Sequence, residues 1–408
     1  MGIRKRKWGP KDPVTGEQKW KWVVDYATTE RDEETGRLKR HIKTFDRKKD
    51  ADTWAAETLI NVKKGTHTPH SKSITVQKAG EKWLDSCDDL ERSTRDQYQQ
   101  HLKFHINPLL GALKLSELTV PIVSDWQSKL RKAGRSPAMV RKVTTSLSTL
   151  LSHAMEGGDI AQNVVKSMSS RRKKRKVERR AKRKAKAGVD IPEPNEIDAL
   201  LQHTTDERWR AFFLVAIRCG LRSSELRGLR WLDVDLKKSE LHVRQRADRY
   251  NRIGNPKSED SHRVVKIPPA TLAALKTWKL QCPRGELGLV FPNGQGNVET
   301  HSNIIERGLI PAWERAGVTK PVLSESGKPA RDEEGRLIVE AKYSGLHALR
   351  HYFVSWCLAR PPVGRGLTLK ETSELAGHSN IAITADVYGH LLPRDDTAQL
   401  AAAEGKFG

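Results

Sequence analysis

From Arg171 to Lys186 the chain reads RRKKRKVERRAKRKAK, twelve lysines and arginines in sixteen residues against a single acid, Glu178. Nothing in this run can be buried. Like charges at this density repel one another, so it is read as an extended linker or frayed helix until an anion neutralises it. It therefore divides the 408 residues into a part before and a part after, each long enough for one or two domains. Twelve charges against one also leave this run with eleven of the formal net charge of +24. An excess of that size favours a polyanionic partner, of which nucleic acid is the commonest. The plainer alternative is a solvated basic surface.

Several classes of protein are excluded at once. The longest apolar run, Ala211 to Ile217, is far short of the roughly 20 residues that a bilayer span needs, and no apolar stretch follows the basic N-terminus as it does in a signal peptide. A membrane role is not expected; the cytoplasm is, at the nucleoid when DNA is bound. Cys87, Cys219, Cys282 and Cys357 lie far apart with no CxxC pair, which argues against a disulfide framework and against a cysteine zinc site. There is no glycine-rich phosphate loop to suggest ATP use.

Patterning on either side of the basic run sets the fold class. Before residue 66, IRKRKW from Ile3, QKWKWVVDYA from Gln18 and LKRHIKTF from Leu38 read as strands, the last two separated by a charged turn ending in Gly36. From Lys48 the spacing turns helical, with Trp54, Ala55, Leu59 and Val62 on one side. Residues 73–167 read as a helical bundle. Val76, Ala79, Trp83 and Leu84 make one stripe, and Tyr98, Leu102 and Ile106 a second. A third helix follows Thr119 with Pro121 in its first turn. A fourth follows Ser136 and Pro137, with Val140, Val143, Leu147, Leu150, Leu151 and Ala154 inward. Beyond the linker, assigned to 168–188, residues 189–395 mix helices with a short antiparallel sheet. Its hairpin runs from Leu241 to Gln245 and returns from His262 to Ile267 around the polar tip GNPKSEDS. ESGKPARDEEGRL near residue 330 reads as a surface excursion, another hairpin, and residues 396–408 as a tail. The expected fold is multidomain α+β: a three-stranded sheet with one helix, a bundle, and a mainly α domain with a small sheet.

Three clusters in the last domain carry reactive groups. CGLRSSELRGLRWLDVD places Arg222 at a helix start with Glu225 three residues on, where a planar guanidinium and helix amides can face a phosphate. GLHALRH puts His347 and Arg350 on one helix face. LAGHSNIAITADVYGHL sets His378 ten residues before Tyr388. Each alone is weak: an arginine is more often surface charge, and HxxR and a helix ending in an aromatic are common.

Taken in order, Arg222, then Lys257 at the hairpin tip, then His347 and Arg350, then His378 and Tyr388 resemble the active-site set of the tyrosine recombinases, particularly lambda-type phage integrases. HINPLLGALKLSELT from His105 resembles part of that family's core-binding domain, and residues 1–66 its arm-type DNA-binding domain. One departure is Ala348, where many members carry Asp. The stretch 318–342 is also longer than a minimal member needs.

The resemblance implies a site-specific recombinase that cuts and rejoins DNA through a 3′-phosphotyrosine, to integrate or excise a phage or mobile element. The chemistry is consistent on its own terms. A covalent phosphotyrosine keeps the phosphodiester bond energy without ATP, and a phosphate gaining charge calls for fixed cations. Tyr388 is then the nucleophile, Arg222 and Arg350 the clamp, His378 a donor to a phosphate oxygen, Lys257 the acid for the departing 5′ oxygen, and His347 the group that accepts or shuttles the tyrosine proton. No cofactor or divalent ion is expected. Lys266, inside the strand, competes with Lys257. Tyr98 and Tyr352 read as core; Tyr26 and Tyr250 lack a clamp, and Tyr343 precedes the His378 motif. Glu225 reads as structural, and His351 and His390 as flanking groups. Arg171, Arg172, Lys173, Lys174, Arg175 and Lys176 are expected along DNA phosphates. Expected partners are double-stranded attachment sites, three further copies in a tetramer on DNA, a directionality factor and a host DNA-bending protein. The alternatives are a DNA-binding regulator that has lost catalysis, and a resolvase-like or type IB topoisomerase-like relative.

Overall fold

The computed structural model of the chain describes residues 1–11, 16–31, 35–63, 73–170, 184–256, 261–324 and 327–392, in two compact units, 1–176 and 177–408. Among the described residues no helix is long and apolar enough to cross a membrane.

The first unit opens with an antiparallel sheet in the order β1 (Gly2–Lys7), β2 (Trp20–Arg31), β3 (Leu38–Phe45). Strand residues alternate between faces, and helix α1 (Lys48–Lys63) covers the face that carries Ile3, Trp22, Val24 and Phe45 with its own Ala51, Trp54 and Ala55. The opposite face is basic. Arg4 and Arg6 lie across from Val23 and Lys21, and Arg40 across from Ala27. A nearly buried Asp25 ties down Arg40 at 2.8 Å and Arg4 at 3.3 Å.

Among the described residues, five longer helices follow in this unit. Helix α2 (Val76–Asp85) starts at Thr75, whose hydroxyl accepts from the Lys78 amide. Helix α3 (Arg92–His101) runs on through a π turn (Leu102–Ile106) and a last α turn (Asn107–Leu110). Helix α4 (Val120–Lys132) begins with Pro121; α5 (Pro137–Glu156) is capped by Ser136, and α6 (Val164–Ser170) closes the group. The apolar stripes read from spacing meet in one core of Val76, Trp83, Leu102, Ile106, Trp126, Val143, Leu147 and Leu150. Each fully buried leucine there contributes roughly 1.5–3 kcal/mol relative to exposure.

In the second unit, helix α7 (Pro194–Gln202) precedes α8 (Glu207–Cys219), which is apolar all round from Ala211 to Ile217 and buried over that length. Helix α9 (Ser223–Gly228) follows. A sheet of β4 (Val234–Asp235), β5 (Glu240–Val243) and, later in the chain, β8 (Arg263–Lys266) comes next, antiparallel with Leu241 opposite Val265. A second ribbon, β6 (Arg246–Ala247) with β7 (Ile253–Gly254), is inserted between β5 and β8, so the connection is more structured than the single polar tip expected from composition. Helix α10 (Pro269–Gln281) packs against α8. A helical run beginning at His301–Asn303 widens into a π turn (Ile304–Leu309) and ends as α11 (Ile310–Arg315).

The charged excursion then folds as β9 (Thr319–Pro321) against β10 (Val339–Ala341), with bridges from Leu323 to Pro329 and from Arg331 to Leu337. Helices α12 (His347–Leu358), α13 (Leu369–Ala376) and α14 (Ile381–Tyr388), the last followed by a 3-10 turn (Gly389–Leu391), come last among the described residues.

Candidate active site

The site is assembled where three helix junctions meet. Helix α8 ends at Gly220 in the left-handed region, φ 65°, and a side chain there would strike the Phe353 ring, since an added Cβ lies 2.1 Å from it. Only glycine permits both the turn and this close approach. Two residues later Arg222 begins α9, and Glu225 reaches back to it, accepting from the Arg222 amide at 2.8 Å and from Nη1 at 2.7 Å. The same carboxylate also takes Arg263 from β8 at 2.8 Å.

Arg350, buried on α12, donates from Nη1 to the Gly220 carbonyl at 2.5 Å and from Nη2 to the Ala376 carbonyl. Arg222 Nη2 donates to the carbonyl of Gly377, the next residue. Two guanidinium groups on different helices are thus hung on the same turn, the one that leads into His378. Their unspent N–H groups form a cationic pair suited to an oxyanion.

His378 sets its Nδ1 2.8 Å from the hydroxyl of the buried Thr384. Ten residues on, Tyr388 is only 3% exposed, with its hydroxyl 2.5 Å from His351 Nδ1. His347, one turn before His351, keeps an exposed ring that packs edge-on against it at 4.5 Å.

Electrostatics follow from this crowding. Burial pushes the Tyr388 hydroxyl up to about 12, partly opposed by Arg350. Burial, then His347, hold His351 at about 4, and burial, Arg350 and Arg222 hold His378 at about 3. Both imidazoles are therefore neutral at physiological pH. Burial works to raise the Glu225 carboxyl, but Arg263 and Arg222 outweigh it and keep it at about 2.

The structure thus brings Arg222, Arg350, His378 and Tyr388 into one cluster and sets His347 at its edge. Lys257 and the basic residues Arg171, Arg172, Lys173, Lys174, Arg175 and Lys176 lie outside the described residues. Lys266 pairs with Glu240 at 2.6 Å on the sheet. Tyr26, Tyr343 and Tyr352 are buried, and the Tyr98 ring packs tilted against Trp83 at 4.6 Å.

Sequence reasoning gave the tyrosine proton to His347, whereas the hydroxyl meets His351, taken there for a flanking group. The signal was available, because residues four apart share a helix face; which of the two histidines lies deeper is visible only in the structure. Thr384, although it lies within LAGHSNIAITADVYGHL, was missed because a hydroxyl six residues after a histidine carries no spacing signal, and Arg263 because it lies outside the three motifs.

Residues 190–394 match the family model described as "Phage integrase family", and residues 75–131 match "Phage integrase, N-terminal SAM-like domain". A tyrosine recombinase XerC-like protein of Caldanaerobacter subterraneus subsp. tengcongensis is 26% identical over 392 residues, 90% of this chain and 91% of that one. The integrase of Mycobacterium phage L5 is 28% identical over 272 residues, 63% of this chain and 69% of that one. Among solved structures, the Tn1549 transposon integrase in complex with a circular intermediate DNA superposes with TM-score 0.61 at 16% identity, over 82% of this chain and all of that one. A lambda integrase tetramer bound to a Holliday junction gives 0.51 at 16% identity, over 88% of this chain and 93% of that one. With half of its length matched by one family model and relatives aligned along most of the rest, the chain belongs to the phage integrase family of tyrosine recombinases.

Proposed function

We propose that this protein is a site-specific DNA recombinase of a phage or mobile element, in which Tyr388 attacks a backbone phosphate and becomes esterified to its 3′ side. The observation that carries the reading is the meeting of Arg222 and Arg350 on adjacent carbonyls beside a buried tyrosine that is hydrogen-bonded to a neutral histidine. The clamp neutralises charge gathering on the phosphate. The Tyr388 hydroxyl donates to His351 Nδ1, which takes the proton as the O–P bond forms, and His347 relays it to solvent. In this mechanism Thr384 donates to His378 Nδ1, 2.8 Å away, which leaves the proton on Nε2 for donation to a phosphate oxygen. Lys257 protonates the departing 5′ oxygen, a role assigned by resemblance. In the reverse step the 5′ hydroxyl of a partner strand attacks the phosphotyrosine and regenerates the Tyr388 hydroxyl, so that bonds and protons balance over the cycle.

The remaining parts serve DNA binding in this reading. Residues 73–167 and 189–395 grip the crossover duplex, with the 171–186 run along its phosphates. Residues 1–66 bind a second, distant site through the basic sheet face of Arg4, Arg6 and Arg40. Two duplexes present four strands to cut, one tyrosine each, hence four protomers; the tetrameric lambda integrase on a junction supports that count. A directionality factor and a DNA-bending protein are the partners this class of reaction calls for.

The test is recombination between two plasmids that carry the DNA flanking the gene. Strand exchange with a covalent intermediate is the expected result. An adduct with plasmid relaxation but no exchange would favour the topoisomerase-like alternative, and binding without any cleavage the regulator.

A further inference from the structure

Behind the phosphate-facing pair lies a third arginine, Arg263 on β8, to which the chemistry above gives no part. Its side chain is 7% exposed, against 32% for Arg222, and its contacts all run inward. Nη2 donates to Glu225 Oε2 at 2.8 Å and Nη1 to Oε1 at 3.3 Å. Nη1 also donates to the Ser261 carbonyl at 3.1 Å, and Nε to the Leu375 carbonyl at 2.8 Å.

These acceptors lie on separate segments: the start of α9, the approach to β8, and the last turn of α13. Leu375 is two residues before Gly377, whose carbonyl holds Arg222, and three before His378. The packing is close. Gly377 sits at φ 62°, and a Cβ there would stand 2.8 Å from Arg263 Nη1 and 3.4 Å from Arg222 Nη1.

We infer that Arg263 is a positioning residue for DNA cleavage, fixing Arg222 through Glu225 and the His378 turn through the Leu375 carbonyl, so that clamp and donor keep one spacing. The inference rests on the reading of Arg222 as a phosphate clamp. A lysine could satisfy Glu225 or the carbonyl but not span both, because its ammonium is a point and not a fork.

Glu225 supplies a readout that a merely structural role would not move. The charged groups facing it are Arg222 at the start of its own helix, Arg263 from β8 and Arg350 from α12. Removing Arg263 leaves the carboxyl buried with less to hold it ionised, so it protonates at a higher pH and releases Arg222.

The experiment uses the full chain and the shortest duplex from the gene's flanking DNA on which the wild type forms an adduct. At saturating protein, Arg263→Gln and Arg263→Lys are expected to slow adduct formation about 10- to 100-fold, the cost of a misplaced reacting group, with duplex affinity near the wild-type value. Arg263→Gln gains a further loss of rate on acidification, and the double variant Arg263→Gln/Glu225→Gln loses that acid limb. If the glutamine variant fails to fold, the lysine variant, which keeps the charge, carries the test through its rate and affinity. A wild-type rate in the lysine variant, a loss no larger than the unfolded fraction measured by circular dichroism, or a folded glutamine variant with an unchanged pH profile would overturn the inference. A wild-type chain that forms no adduct on any flanking duplex would overturn the recombinase reading along with it.

Discussion

The hydroxyl of Tyr388 meets His351 Nδ1 at 2.5 Å, and His347 reaches that pair only through the edge of the His351 ring. The immediate partner of the proposed nucleophile is thus the second histidine of GLHALRH. Because burial holds His351 at about 4, its ring is neutral at physiological pH, and Nδ1 can accept the hydrogen bond of the Tyr388 hydroxyl.

His351→Gln is expected to lower the rate of adduct formation by roughly 10²-fold, the lower end for removal of a general base, while duplex binding survives. His347→Gln is expected to cost less. Single-turnover cleavage at saturating protein checks both; a His347 variant slower than the His351 variant would return the proton to His347.

The same histidines make the second unit sensitive to acid. Folding holds His351 at about 4 and His378 at about 3, whereas an unfolded chain protonates them near 6.5. In the interval the unfolded state binds more protons. Their contribution is therefore fully present above about pH 6.5 and is lost as the pH falls toward 4. The expected loss between pH 7 and pH 5 is on the order of 2 kcal/mol, after discounting for partial solvation of both rings. Calorimetry would show it as a falling transition temperature for this unit, flattened in His351→Gln/His378→Gln; an equal slope in that variant would assign the effect elsewhere.

What the sequence made legible follows from periodicity and local chemistry. The stripes Val76–Ala79–Trp83 and Val143–Leu147–Leu150 entered one core, as 3.6-residue spacing requires. Arg222 lay at a helix start with Glu225 reaching back to its amide. The inserted ribbon β6–β7 escaped notice because its strands are two residues long, too short for alternation to register. Within the site, side chains on known motifs could be named, but the carbonyls of Gly220, Ala376 and Gly377, which aim the two arginines, carry no residue-specific signal. Arg263 stayed invisible for a related reason: its partners Glu225 and Leu375 are 38 and 112 residues away in sequence.

The basic run makes a prediction in which DNA contact and plain solvation diverge. If about four of its charges engage phosphates, neutralising Arg171, Arg172, Lys173, Lys174, Arg175 and Lys176 with Ser or Gln flattens the dependence of log affinity on log salt by roughly 3.6. Specific and non-specific DNA weaken about equally, since phosphate contacts carry no sequence information. An unchanged slope would make the run a solvated spacer.

Charge stabilisation by Arg222 and Arg350 also predicts that adduct formation persists in excess EDTA, because the fixed guanidinium groups supply what a divalent ion would otherwise provide. Complete dependence on added magnesium, read on the same denaturing gel, would contradict the clamp.

In the proposed reaction one hydroxyl, that of Tyr388, becomes bonded to DNA. Tyr388→Phe removes that oxygen and leaves the buried ring in place, so the fold and duplex affinity are expected to hold. The decisive measurement is the protein–DNA band on a denaturing gel, with wild type and variant at equal occupancy. The wild type is expected to give an adduct, mapped by mass spectrometry to the peptide containing Tyr388, and the variant none; an adduct at wild-type level from Tyr388→Phe would contradict the assignment of Tyr388 as nucleophile.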